Sequence, residues 1–182
     1  MRSGRSINIF SNNRKTVFLS FKRGFILFIL TLLLLLLYTK ENYVFNLSPS
    51  MTTGVYKKIK VDTISKNDIV MIKIPEVAKG YIYERGYIEP NVTSLLKRVK
   101  AIENDSIEIR DRKLYINNEM SKNLSVLDSK GLTLPYKEYT KTLKNNEYFL
   151  LGDNRDKSFD SAYFGSVHRE DIIYKAKLVL EI

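Results

Sequence analysis

The strongest constraint on how this chain folds is one apolar run near its N-terminus. Residues 25–38 are apolar apart from Thr31, and 16 residues separate Arg23 from Lys40. As an α-helix this run extends about 24 Å, which is short of a hydrocarbon core of about 30 Å. Flanking side chains that reach the interface, or inclusion of the preceding apolar residues, make up the difference. We therefore predict a single transmembrane helix over residues 24–40.

The positive charge of the chain is concentrated beside this run. Residues 1–40 contain seven basic side chains and no acid, so that residues 41–182 carry only +3 of the net charge of +10. Basic flanks stay on the cytoplasmic side, which predicts residues 1–23 as a basic cytoplasmic tail and residues 41–182 as a domain on the extracytoplasmic face of the inner membrane. A nucleic-acid binder would carry its basic charge on the folded domain. We expect membrane lipid as a partner and no nucleic acid.

A cleaved secretory signal peptide is the alternative interpretation of the same run, because a basic segment before an apolar one is typical of both. No Ala-x-Ala sequence follows the run, and the nearest pair of small residues with this spacing is Ser48 and Ser50. Cleavage there would remove Ser48 and Ser50 from the mature chain. We favour an uncleaved anchor.

The composition excludes several kinds of site. The chain has no cysteine, which rules out disulfides and thiolate nucleophiles. Its single histidine, His168, rules out a site with several histidine ligands, although carboxylate sites for hard cations stay open. We predict no cofactor and no metal.

The part of the chain after the apolar run is predicted to be mainly β. Short β-branched or alternating segments are bounded by turn residues, with Asp111-Arg112 as a turn, and no long helical periodicity is present. Residues 121–146 are polar, lysine-rich and interrupted by Gly131 and Pro135, so we expect a surface insertion there. The strand candidates are residues 68–75, 96–102, 106–109, 114–117, 148–151 and 176–181.

Two separate positions combine into a possible nucleophile and base. Ser50 lies in a polar turn, Ser48-Pro49-Ser50-Met51, shortly after the apolar run. Lys97 lies at the start of a predicted strand, residues 96–102, and would be an ordinary surface lysine unless it is buried. Burial lowers the pKa of a lysine until its neutral amine accepts a hydroxyl proton, whereas Arg98 cannot lose its proton.

A dense polar loop, residues 152–161, is the third group. It follows a predicted strand, and its many polar groups need partners if the loop is packed. A hydrogen-bonded network that holds a catalytic lysine in place would use them. The charged and hydroxyl side chains of the loop are Asp153, Arg155, Asp156, Lys157, Ser158, Asp160 and Ser161.

A Ser-His-Asp triad is the competing interpretation, because Ser50, Asp160 and His168 follow the chain order of the α/β-hydrolases. Those enzymes present the serine on a Gly-x-Ser-x-Gly elbow, which the surroundings of Ser50 lack. We therefore interpret His168 as a surface or structural residue.

Together these motifs resemble a known family. An apolar anchor, Ser-x-Ser-Met, Lys-Arg-Val, and Gly-Asp-Asn-Arg-Asp-x-Ser-x-Asp-Ser occur in the order found in type I signal peptidases, and the resemblance covers residues 25–171. The residues after Ser50 and Ser158 further resemble the TraF branch, which processes pilin or related precursors during conjugation. Thr52 replaces a proline common in that branch, Ala162 replaces a common arginine, and residues 100–104 lack the Gly-x-Pro-Gly of the family.

The resemblance implies roles for individual residues and a signal-peptidase-like, β-rich catalytic domain. Ser50 matches the nucleophile and Lys97 the general base, while Ser48 joins the Ser50 N–H in binding the oxyanion. Ser158 matches a residue that hydrogen-bonds the lysine, and Met51 is expected to contact substrate. The supporting residues are expected to be Ser158, Asp160, Asp153 and Arg155.

The expected function is that of a membrane-anchored serine endopeptidase that cleaves signal or leader peptides from exported precursors, in particular a pilin or a conjugation-related protein. A general housekeeping signal peptidase is the alternative within the family. An anchored β-rich binding module without catalysis is the alternative outside it, and in that case Lys97 is an ordinary amine. Self-cleavage of the LexA-like type fits poorly, because the membrane run occupies the place of a DNA-reading motif.

Overall fold

A computed structural model describes residues 9–182, with side chains from residue 21 onward. The first element is helix α1 (Ile9–Asn42), and within it the 22-residue stretch Phe21–Asn42 has the length and composition of a membrane span, with a mean hydropathy of 2.1 over its most apolar 18 residues. These 22 residues extend about 33 Å as a helix, which is enough for a hydrocarbon core.

The predicted tail, residues 1–23, differs from the structure in its second half. Residues 1–8 lie outside the described residues, but the helix already begins at Ile9. No proline interrupts residues 9–23, so nothing in the sequence ends the helix at the basic residues that precede the apolar run.

Residues 43–182 form a separate compact unit that contains two antiparallel sheets. The larger sheet has seven strands, whose spatial order is β1-β2-β11-β3-β4-β9-β10. These strands are β1 (Tyr43–Asn46), β2 (Gly54–Ile59), β3 (Ile69–Lys73), β4 (Ser94–Ala101), β9 (Glu147–Leu151), β10 (Val167–His168) and β11 (Ile172–Glu181).

The smaller sheet has four strands in the order β7-β6-β5-β8. They are β5 (Ser106–Arg110), β6 (Lys113–Ile116), β7 (Glu119–Asn123) and β8 (Tyr139–Thr142). Two-residue turns connect the first three, and the central residues of both turns have positive φ, as the turns of tight hairpins require. These residues are Asp111, Arg112, Asn117 and Asn118.

Helical structure in this unit is short. Helix α2 (Glu76–Lys79) continues into a π-helical turn (Gly80–Glu84) in the excursion between β3 and β4, and helix α3 (Ser161–Phe164) follows the polar loop. Each of the two α-helices spans four residues, so packing and not helix propensity holds them.

The two sheets share a hydrophobic core. Ile107 and Ile109 alternate inward along β5, as the period of two in a strand dictates, and pack in one cluster with Phe149 and Leu151 of β9. Leu124 and Leu143 belong to the same cluster and come from residues 121–146.

The expectation that residues 121–146 form a surface insertion is therefore wrong in part. The segment includes the end of β7 and all of β8, and it buries Lys122, Leu124, Leu134 and Leu143. Most residues of the segment are polar, so its few apolar residues, which pack into the core, gave no clear pattern in the sequence. The strands β1, β2, β7, β8 and β10 also went unpredicted, because their sequences are rich in polar residues or too short for a clear alternation.

Candidate active site

Ser50 lies in the loop that joins β1 to β2. The last residue pair of these two strands is Asn46 with Gly54, and residues 47–53 form the loop between them. The buried Asn46 holds this loop, since its Nδ2 donates to the carbonyl oxygens of Ser48 and Thr52, each at 3.0 Å. Sequence analysis did not single out Asn46, whose only signal was a position just before the serines.

The loop leaves Ser50 largely buried while Met51 turns into the core. Ser50 is 7% exposed and Met51 is 2% exposed. Met51 packs in a cluster with Tyr56, Met71 and Leu96. The expectation that Met51 contacts substrate is therefore wrong, because its side chain packs into the core and does not line the cleft described below.

Lys97 reaches Ser50 from the centre of the larger sheet. It lies on β4 opposite Val70 of β3, is 2% exposed, and places Nζ 2.9 Å from Ser50 Oγ. Burial lowers the pKa of Lys97 to about 8, an effect that the Asp160 carboxylate opposes and the Lys122 ammonium reinforces. The structure thus joins two residues that are 47 positions apart in the sequence.

Ser48 lies on the open side of the same pair. Its Oγ is 3.1 Å from Ser50 Oγ and accepts a hydrogen bond from the Ser50 backbone N–H at 3.4 Å. The Ser48 hydroxyl and the Ser50 backbone N–H therefore lie together beside Ser50 Oγ, where they bind each other in this structure.

The polar loop after β9 packs against the serine loop through its backbone. The N–H of Asn154 donates to the carbonyl oxygen of Ser50 at 3.1 Å. A Cβ at Gly152 would lie 2.2 Å from Ser158 Oγ and 2.6 Å from the Ser50 carbonyl oxygen, so glycine is needed for this close approach.

Asp160 is fully buried and organises the end of this loop. Its carboxylate accepts the Gly152 N–H and the Ala162 N–H, each at 3.2 Å, and the second bond caps α3. Lys122 Nζ donates to the same carboxylate at 2.9 Å. Sequence analysis missed Lys122, because it lies in a lysine-rich segment that was assigned to the surface.

The other expected supporting residues take different positions. Asp153 forms a bidentate ion pair with Arg98, both contacts at 2.6 Å, and Arg155 donates to the carbonyl oxygen of Ser121. Both residues are exposed and lie at the rim of the loop. Their hydrogen bonds hold the loop to the neighbouring strands and do not touch Ser50 or Lys97.

Ser158 departs from the role that the family resemblance implied. Its side chain is buried, yet its Oγ has no hydrogen-bond partner within the part of the chain that the structure describes. The hydroxyl therefore does not hydrogen-bond Lys97, whose Nζ points to Ser50 Oγ instead.

His168 takes no part in the site. It is exposed on β10, where it pairs with Glu147 of β9, while the Asp160 carboxylate is engaged by Lys122 and two backbone N–H groups. The Ser-His-Asp interpretation therefore finds no support in the structure.

A cleft of about 560 Å³ opens over Ser50 and Lys97. Its wall contains Ser48, Ser50 and Lys97, further polar and charged side chains that include Asp128, Lys130, Asp156 and Lys157, and a set of apolar and aromatic residues. Apolar walls with a few polar groups are typical of ligand sites. The apolar and aromatic lining residues are Ile82, Tyr87, Ile88, Leu95, Leu96, Leu127, Leu134, Phe159 and Tyr163.

Comparison with known proteins identifies the class. The family model for signal peptidase, peptidase S26, matches residues 18–181, and the chain belongs to that family. The prediction of a serine endopeptidase of the signal peptidase type is thereby confirmed at the level of the class.

The chain is also similar to individual proteins. The chain is 31% identical over 145 residues to the plasmid transfer protein TraF of Escherichia coli, an alignment that covers 74% of this chain and 81% of TraF. It is 36% identical over 107 residues to thylakoidal processing peptidase 1 of Arabidopsis thaliana, covering 59% of this chain and only 29% of that peptidase. A crystal structure of a signal peptidase I from Enterococcus faecalis aligns with a TM-score of 0.39 and 24% identity, covering 64% of this chain and 98% of that one.

Proposed function

We propose that the protein cleaves signal or leader peptides from exported precursors with Ser50 as nucleophile and Lys97 as general base. The observation that carries this proposal is the 2.9 Å separation of Lys97 Nζ and Ser50 Oγ inside a buried site. A buried lysine with a pKa near 8 holds a sizeable fraction of neutral amine close to neutral pH, which is the form that accepts a proton.

The proposed reaction begins with transfer of the Ser50 hydroxyl proton to Lys97 Nζ. Ser50 Oγ forms a bond to the scissile carbonyl carbon, and the negative charge that develops on the carbonyl oxygen is bound by the Ser50 N–H and the Ser48 hydroxyl. The Lys97 ammonium then gives its proton to the leaving amine as the peptide C–N bond breaks. Water hydrolyses the resulting ester with Lys97 again as base.

The proposed substrate segment lies extended in the cleft beside Ser50. The apolar walls formed by Leu95, Leu96 and Phe159 suit the small and apolar residues of an exported precursor near its cleavage site. Residues 9–42 would hold the enzyme in the cytoplasmic membrane with the N-terminus in the cytoplasm, and residues 43–182 would act on the extracytoplasmic side. This orientation follows from the basic side chains that precede the apolar run.

A conjugation-related precursor is the proposed substrate within this class. Two matching relatives are named plasmid transfer protein TraF, and this chain covers 81% and 76% of their lengths. A housekeeping signal peptidase would process many unrelated precursors. The two possibilities are separated by co-expressing the protein with a candidate conjugative pilin precursor and with a general secretory precursor, since the proposal expects cleavage of the first in strong preference to the second.

Loss of cleavage in two single variants tests the proposed chemistry. Ser50→Ala and Lys97→Met should each lower kcat by at least about 10³-fold, because each removes a group that acts in the transition state. Lys100→Met is the matched control, since Lys100 lies on the same strand and has no contact with Ser50. Processing of a co-expressed precursor, followed by electrophoretic mobility, gives the readout. Substantial cleavage by either active-site variant contradicts the dyad.

A further inference from the structure

Lys122 is the second buried lysine of the described domain, and the reaction proposed above does not use it. Its side chain is 2% exposed and that of its partner Asp160 is fully buried, with Nζ and Oδ2 2.9 Å apart. Lys122 also donates to the carbonyl oxygen of Ser158 at 3.2 Å and lies 5.0 Å from the ring centroid of Tyr163. A buried ion pair of this kind costs desolvation energy, so its position is informative.

The pair acts on the proposed base electrostatically and is joined to the serine loop through Gly152. Asp160 accepts the N–H of Gly152, and Gly152 is packed against both Ser158 Oγ and the Ser50 carbonyl oxygen. Among the charged groups that act on Lys97, the Asp160 carboxylate raises its pKa most, while the Lys122 ammonium lowers it. Asp153 also raises it, but that carboxylate is already paired with Arg98 at the rim.

We propose that Lys122 is a positioning residue for Lys97: by neutralising the buried Asp160 carboxylate, it keeps the Lys97 amine on Ser50 Oγ and free to accept a proton. This inference rests on the proposed Ser50 and Lys97 chemistry. The neighbouring Ala162 offers only its N–H to the carboxylate, so Lys122, which comes from another sheet, supplies the charged contact.

The physical reason is the cost of an isolated buried charge. Without Lys122, the buried Asp160 carboxylate would have no cation of its own, and its attraction would favour the ammonium form of Lys97. A protonated Lys97 cannot take the Ser50 proton. Replacing the Asp160 carboxylate as well removes this attraction. Asp160→Asn should therefore reverse the effect of Lys122→Met on the pKa of Lys97.

The experiment compares four forms of the full-length protein in detergent micelles. They are the wild type, Lys122→Met, Asp160→Asn and the double variant, each assayed for kcat/KM on a fluorogenic peptide that carries a leader-peptide cleavage sequence, between pH 6 and 10. The acid limb is the part of the profile in which kcat/KM rises with pH as Lys97 loses its proton. Lys122→Met should move the midpoint of this limb upward by at least one pH unit, and each unit lowers kcat/KM at pH 7 by about tenfold. Asp160→Asn should move the limb downward, and the double variant should return it to within half a unit of the wild type.

A control comes from the same four-stranded sheet that carries Lys122. Lys141→Met removes the ammonium of a more exposed ion pair, Lys141 with Glu147 at 2.7 Å, which is not among the charges that act on Lys97, and should leave the pH profile unchanged. If Lys122→Met does not fold, the difference between Asp160→Asn and the double variant still measures the effect of the Lys122 charge. Two results would overturn the proposal. In the first, the double variant has the same acid-limb midpoint as Asp160→Asn; in the second, it loses as much activity at pH 7 as Lys122→Met.

A second readout separates this inference from the proposed function. Titration of the Lys97 side chain by NMR, with ¹³C-labelled lysine and assignment by Lys97→Met, does not depend on cleavage. An upward shift of the Lys97 titration in Lys122→Met supports the proposal, and an unchanged titration overturns it. Full cleavage activity in Ser50→Ala would instead overturn the proposed function and leave the NMR result to decide the role of Lys122.

Discussion

At the level of single residues, the site depends on how completely the sheet encloses one lysine. Strand β4 pairs with β3 on one side and with β9 on the other, so Lys97 lies inside the sheet. Its neighbours Leu96 and Val99 are buried, and its Nζ reaches Ser50 in the serine loop. A lysine at this point loses its hydration, and its pKa falls. An arginine at the same position would stay charged and would not serve as a base.

The contact at Gly152 predicts a large effect for a small substitution. Gly152→Ala should lower cleavage by more than tenfold and destabilise the fold by about 1–3 kcal/mol, because the new methyl group overlaps Ser158 and the Ser50 carbonyl oxygen. Gly80→Ala is the control, since a Cβ there meets only the Glu84 carboxylate at 3.8 Å. Activity and thermal melting of the two variants check this. A Gly152→Ala protein that matches the wild type contradicts the packing described for the site.

Asn46 gives a second prediction at this scale. Asn46→Asp keeps an acceptor for the Ser48 N–H but removes the Nδ2 donor that binds three carbonyl oxygens of the serine loop. We expect a loss of about 1–3 kcal/mol in the free energy of unfolding, from the unpaired carbonyl groups and the buried carboxylate, together with lower kcat. Chemical denaturation and cleavage kinetics measure both. Unchanged stability and unchanged kcat would show that the loop holds its shape without Asn46.

At the level of elements, the two hairpins of the smaller sheet allow a test in the stabilising direction. Asn117 and Asn118 both have positive φ in the turn from β6 to β7, and Asn-Gly is the preferred pair for such a turn. Asn118→Gly should therefore raise stability by a few tenths to about 1 kcal/mol, and Asn118→Val should lower it, because a β-branched residue resists positive φ. Equal melting temperatures for the two variants would contradict the turn geometry.

The strands show how much of the fold could be predicted from the sequence. Strands with clear apolar alternation or β-branched runs, such as β3, β5 and β9, were predicted close to their observed bounds, and Asp111-Arg112 was predicted as the turn it forms. β7 and β8 were missed, because their stability comes from cross-strand pairing that no local pattern records.

The site residues were predictable to the extent that a motif carried them. Ser50 and Lys97 were identified by their motifs and meet in the structure, whereas Lys122 was missed because a buried lysine resembles an exposed one in sequence. Met51 and Ser158 were expected to contact substrate and lysine, but the direction of a side chain depends on the fold and not on the motif.

At the level of the whole molecule, the division after Asn42 predicts independent folding. Residues 43–182 form their own compact unit with their own core. A protein consisting of residues 43–182 should fold cooperatively in the presence of mild detergent and cleave a short leader peptide, while processing a membrane-inserted precursor at least about tenfold more slowly, because it loses the effective concentration that the anchor provides. Circular dichroism and the two assays test this. A truncated protein without a cooperative melting transition would show that the helix is needed for folding.

The pH dependence of cleavage by the wild-type protein tests the central claim most directly. Because neutral Lys97 is the proposed base and burial brings its pKa to about 8, kcat/KM should rise with pH and reach half of its plateau near pH 8. Lys97→Met should abolish this rise together with the activity. A profile with its midpoint at about 6.5, the ordinary pKa of a histidine, or one that follows the ordinary lysine pKa of 10.5, would contradict the account.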